Sequence, residues 1–64
     1  MTKVQHMQQA VRDTDLSYNQ IARNAGVTRP WLKSVMEGRF LEPNPDWVKA
    51  VTDYIIKYEA IKAR

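Results

Sequence analysis

One glycine, Gly26, set between two short apolar-patterned segments, constrains this chain more than any other residue. Before it, Ser17 is a good N-cap and Gln20, three residues on, completes a capping box. Leu16, ahead of the cap, can pack on Ile21. A helix is therefore predicted over about 18–25, with Ile21 and Ala25 facing inward. Gly26 stands where a left-handed backbone ends a helix. Beyond it, Thr28 is a second N-cap, and Leu32, Val35 and Met36 form the inner side of a second short helix that Gly38 stops. Two helices joined so tightly must cross steeply. Ala22, four residues before the glycine, is small where the helices approach most closely.

The start of that second helix carries a conflict. Proline is tolerated in the first turn, but it disfavours the helical region for the residue before it. Pro30 therefore sets the helix to begin at Arg29 or at Pro30 itself, with Arg29 half outside in the latter case. The rest of the chain is also helical in pattern. Val4, Met7 and Val11 share one face of a segment whose other faces carry Gln5, Gln8, Gln9 and Arg12. Asp13-Thr14-Asp15 is turn chemistry. Residues 39–44 read as a loop stiffened by Pro43 and Pro45, with Asn44 as the cap of a last helix and Pro45 in its first position. Asp46 suits the dipole of that first turn. No segment alternates as a strand does. The expectation is an all-α domain of four helices, five at most, over about 3–12, 18–25, 29–37 and 45–61, with 1–64 as a single domain.

Sixty-four residues, 44% hydrophobic and 27% charged, suffice for one small core and no more. The chain has no cysteine, hence no disulfide framework and no thiolate metal site. Met1-Thr2-Lys3-Val4-Gln5-His6 lacks the apolar core of a signal peptide, and apolar runs are too short for a membrane span. These readings fit a cytoplasmic protein with no membrane partner.

The formal net charge is +3, and its placement says more than its size. Charges balance within residues 1–17 and again within 40–64. The excess lies in 18–39, where Arg23, Arg29, Lys33 and Arg39 stand against Glu37 alone. A basic excess confined to one element is an electrostatic footprint for a polyanion. The bland alternative is chance variation in a small protein. Helix, glycine turn and basic second helix together form the pattern of a DNA-binding helix-turn-helix. Ile21, Val27, Leu32 and Val35 would hold the two helices at a fixed angle. The exposed side of the second could then enter a major groove about 12 Å wide. Ala22 and Gly26 taken singly suit an ordinary helical hairpin equally well.

Ser17-Tyr18-Asn19-Gln20-Ile21-Ala22, Ala25-Gly26-Val27-Thr28, Leu32 and Glu37-Gly38-Arg39 resemble the Cro/repressor-type helix-turn-helix regulators of bacteriophages and bacteria. The resemblance covers most of 16–56 and is one of pattern, not close identity. Val27-Thr28-Arg29-Pro30 is also similar to the start of the recognition helix in many antitoxin repressors. The resemblance implies a compact helical domain that binds an operator as a homodimer and represses transcription in a bacterial cell, associated with the nucleoid. The chain departs from the family in helix number, since family domains commonly have five. The loop with Pro43 and Pro45 stands where a short helix would be, which leaves the mode of dimerisation open.

Carried over by position, the first exposed residues of the recognition helix, Thr28, Arg29 and Pro30, meet base edges. Lys33 and Ser34 follow one turn on. Arginine can bind guanine O6 and N7 in a bidentate fork, which makes Arg29 the principal candidate reader; the alternative is a phosphate contact. Pro30 can touch a thymine methyl. Tyr18 and Asn19, at the start of their helix, and Arg39, just past the motif, are candidate backbone contacts. Trp31 either packs under residues 40–43 or lies against the sugar-phosphate backbone. Arg23 is on the outer side and solvated.

The last helix holds more apolar surface than one small core needs. Val48, Val51 and Ile55 can face the other helices. Trp47, Tyr54, Tyr58 and Ile61 lie on a neighbouring strip that either wraps a thin core with polar tips in water or forms a homodimer surface. Catalysis is not expected. His6 is the only histidine, no carboxylate stands at catalytic spacing from it, and two glycines do not make a phosphate loop. No cofactor, metal or small-molecule ligand is expected. The alternative to a DNA-binding repressor is a protein-interaction module, such as an antirepressor or antitoxin-type partner, that uses the Trp47/Tyr54/Tyr58 face.

Overall fold

A computed structural model describes residues 2–39 and 43–63. Among them there are four helices and no strand: α1 (Lys3–Asp13), α2 (Tyr18–Ala25), α3 (Arg29–Met36) and α4 (Pro45–Lys62). The all-α, four-helix expectation holds, with ends shifted by one residue: α1 continues to Asp13, α3 stops at Met36, and α4 reaches Lys62. Residues 40–42, the middle of the loop read over 39–44, lie outside the described residues, as does any packing of Trp31 beneath them.

Each helix starts where a side chain can satisfy its orphan N–H groups. Ser17 and Gln20 form the expected reciprocal box, each backbone N–H donating to the other's side-chain oxygen at 3.2 Å. Thr2 and Gln5 form a second box at the head of α1, at 3.0 and 3.1 Å. Thr28 Oγ1 accepts from the Trp31 N–H, and Asn44 Oδ1 from the Asp46 N–H. The conflict at Pro30 resolves in favour of Arg29 as the first helical residue. The Leu32 N–H donates to the Thr28 carbonyl at 3.1 Å, and the Trp31 N–H is held by the Thr28 hydroxyl. These bonds, with the burial of Leu32, outweigh the pre-proline preference for extended backbone.

One core gathers side chains from all four helices and the turn: Met7 and Val11, Ile21 and Ala22, Val27, Leu32 and Val35, then Val48, Val51 and Ile55. Met7, Ile21, Leu32 and Val51 are wholly shielded. α4 packs on α1 and α2, and α3 packs on α2. Ala22, 5% exposed, lies in this core, as a small residue near the helix crossing should.

Gly26 has φ +79°, and both its own N–H and that of Val27 donate to the Ala22 carbonyl at 3.0 Å. A Cβ added there would meet nothing within 4 Å, so the cost of a side chain is backbone strain alone. Gly26→Ala is expected to lower the unfolding free energy by about 1–2 kcal/mol, read as a lower urea midpoint with an unchanged slope. An unshifted midpoint would show that the turn does not depend on left-handed backbone.

The turn between α1 and α2 is tied to the far end of α4. Asp15 accepts from Lys62 Nζ at 2.8 Å and from the Tyr58 hydroxyl at 3.4 Å. The Lys62 hydrogen bond holds the Asp15 carboxyl below its usual range and raises the Lys62 ammonium above its own. The link is thus complete near neutrality. It is lost as pH falls through the depressed Asp15 value or rises through the raised Lys62 value. Both groups are exposed, so the pair adds little to stability.

Candidate nucleic-acid interface

The outer side of α3 is the site that the fold builds. Helical spacing places Leu32 and Val35 on one side, and both are buried, at 0% and 1% exposed. Arg29, Pro30 and Lys33 occupy the opposite arc and are exposed, and Ser34 at its edge is half-buried. Four of the five residues assigned to base contacts therefore share one arc, and exposed Thr28 stands at its start. The Thr28 hydroxyl oxygen accepts from the Trp31 N–H, which leaves its own O–H and a second lone pair to offer outward.

The backbone-contact candidates divide. Asn19 is exposed at the N-terminus of α2. Tyr18 is half-buried and packs on the core. Arg39 is exposed and follows a tight helix end: Gly38 has φ +76°, its N–H donates to the Val35 carbonyl, and the Arg39 N–H donates to the Ser34 carbonyl, both at 3.0 Å. This double bond pattern stops α3 and directs the chain away from it. Arg39 also pairs with Glu37, Nη2 to Oε2 at 3.2 Å. Arg23 is exposed, as read from sequence.

Trp31 lies on the flank of α3, not on its outer arc. It is half-buried, and its ring meets Trp47 edge to face, centroids 5.1 Å apart at 82°. Such a pair favours contact beyond area burial alone. Trp47 thus joins α4 to α3 within one chain, which reduces what it can offer a second copy. Tyr54 and Tyr58 are half-buried, with rings 6.5 Å apart, and Tyr58 is engaged with Asp15. Of the four residues placed on the dimer strip, Ile61 is the most open, 61% exposed. Ile56 is 52% exposed, but helical spacing turns it well away from Ile61.

Sequence reading passed over Gln8. Its side-chain amide reaches from α1 to the last turn of α3 and donates to the Val35 carbonyl at 2.8 Å in a partly buried setting. That bond helps fix the C-terminal end of α3, while Thr28 and the Gly26 turn fix its start. A polar residue on the edge of an apolar helix face gives no local sign of such a partner.

No family model matches this chain, and neither a curated protein nor a solved structure is significantly similar to it.

Proposed function

We propose that this chain is a sequence-specific DNA-binding transcriptional repressor of the Cro/repressor helix-turn-helix type, acting in the cytoplasm of a bacterial or phage-infected cell. The observation that carries the reading is the two-sided character of α3. Leu32 and Val35 are buried beneath it, while Arg29, Pro30 and Lys33 stand exposed on a short, capped and rigidly turned helix. That helix lies within the segment that holds the chain's excess positive charge. In this reading α3 enters the major groove, Arg29 forks onto a guanine, and Thr28, Pro30, Lys33 and Ser34 meet neighbouring bases. Tyr18, Asn19, Trp31 and Arg39 flank the groove at the sugar-phosphate backbone. Two copies, meeting through Tyr54, Tyr58, Ile61 and the rim of Trp47, would read an inverted repeat with half-site centres about 34 Å apart. Bound across a promoter, the pair would block polymerase.

The test is selection of bound sequences from a random duplex pool, followed by a salt titration on the enriched site. An enriched inverted repeat is expected. With Arg39 on a phosphate and up to three further cations of 18–39 (Arg23, Arg29, Lys33) close to the backbone, log affinity should fall against log salt with a slope of about −1 to −4 per protomer. A pool with no enriched sequence would sink the sequence-specific reading. The second reading, an interaction module of antirepressor or antitoxin type, draws on the open Ile56 and Ile61 of α4. It predicts little salt-dependent affinity for any duplex. In either reading, no helix among the described residues is long and apolar enough to cross a membrane.

A further inference from the structure

Glu37 is the one acid among residues 18–39, and it stands where neither helix stability nor DNA affinity would put it. It follows Met36 at the C-terminal end of α3, the negative end of the helix dipole, where a carboxylate is unfavourable. Its N–H still donates to the Lys33 carbonyl at 3.0 Å, so helical geometry continues through it. Arg29, Lys33 and Glu37 therefore follow one another at four-residue steps along the exposed side of α3. The carboxylate is partly open to solvent, and its partner is Arg39 at 3.2 Å, whose side chain is 71% exposed. A negative charge near phosphates weakens binding to every duplex alike unless something in the groove compensates it.

We propose that Glu37 is a specificity-determining residue, one that couples the Arg39 phosphate contact to the presence of a cytosine; this rests on the DNA-binding reading above. In the major groove only exocyclic amino groups donate: N4 of cytosine and N6 of adenine. Adenine N6 sits beside the N7 acceptor, which repels a carboxylate, so cytosine is the matching base. On a site with cytosine at that position, Glu37 exchanges Arg39 for the N4 amino group, and Arg39 passes to a phosphate. The exchange is easy because an exposed ion pair is weakly held. On other sequences the carboxylate finds no donor and keeps Arg39, so the duplex loses the Arg39 phosphate contact and faces a neutral pair in its place. Specificity at this end of the helix thus comes mainly from what is rejected.

The experiment is Glu37→Gln, compared with the unaltered chain by selection from a random duplex pool and by salt titration on a non-selected duplex. The unaltered chain should enrich cytosine at one position per half-site. In the variant that preference should pass to adenine, whose N6 and N7 match a glutamine amide. Affinity for the non-selected duplex should rise, with a salt slope steeper by about 0.9 per chain as Arg39 becomes free for phosphate. Arg39→Ala should weaken binding while leaving the cytosine preference in place. Identical selected sequences and an unchanged salt slope in Glu37→Gln would overturn the inference while leaving DNA binding intact. An unaltered chain with no duplex affinity would overturn the underlying reading, and this inference with it.

Discussion

Leu32→Ala is expected to lower the unfolding free energy by about 2–5 kcal/mol. A domain of this length has a total stability of only about 3–10 kcal/mol. Leu32 is wholly shielded, in a core to which every helix contributes. Truncation removes its transfer energy and leaves a cavity that four helices cannot close without shifting α3 on α2. Urea unfolding followed by far-ultraviolet circular dichroism would show the midpoint fall steeply, and at the upper end of the range the chain would be largely unfolded in buffer. On the proposed function, DNA affinity should fall with the folded fraction, since the exposed arc of α3 exists only when Leu32 and Val35 are seated. A midpoint moved by less than the equivalent of about 0.5 kcal/mol, the scale of an ordinary surface substitution, would show that α3 is not anchored in the way its burial implies.

Arg29→Ala should leave the fold intact and change what the protein reads. Arg29 is exposed at the first position of α3, outside the buried core. A bidentate arginine–guanine pair contributes about 1–3 kcal/mol of discrimination, so affinity for the selected site should drop by about 5- to 150-fold. Affinity for unrelated duplex should change far less, and the selected sequence should lose its guanine at one position of each half-site. An equal loss on all sequences, with a shallower salt slope, would instead identify Arg29 as a phosphate contact. Lysine at this position would not restore selection, because it lacks the planar fork.

Much of this architecture was legible because it depends on residues a few positions apart. Ser17 with Gln20, Thr28, and Asn44 with Pro45 each announced a helix start, and each is seen capping one. The same rule applied to Thr2 with Gln5, a box the reading passed over. Apolar spacing picked out Met7, Val11, Ile21, Leu32, Val35, Val48, Val51 and Ile55, which are all core residues. The start of α3 was legible only as a conflict, since proline rules and capping rules oppose each other at Arg29. The balance there was set by bonds to Thr28 and by a buried leucine, the second of which needs the rest of the fold.

The candidate site divides along the same line. Local pattern alone determined that the chain is all-helical with four helices or five, that a left-handed glycine turn joins α2 to α3, and that Leu32 and Val35 face the core. Tertiary structure alone decided that Gln8 holds the last turn of α3 through the Val35 carbonyl, that Trp31 and Trp47 meet edge to face, and that Tyr58 and Lys62 close on Asp15. The physical reason is that periodicity and capping report which side of a helix is apolar and where its backbone bonds end. They carry no information about which distant side chain that surface will meet. Those pairings, 16 to 47 residues apart in sequence, are chosen only when the four helices pack. They leave the α4 strip less open than its composition promised.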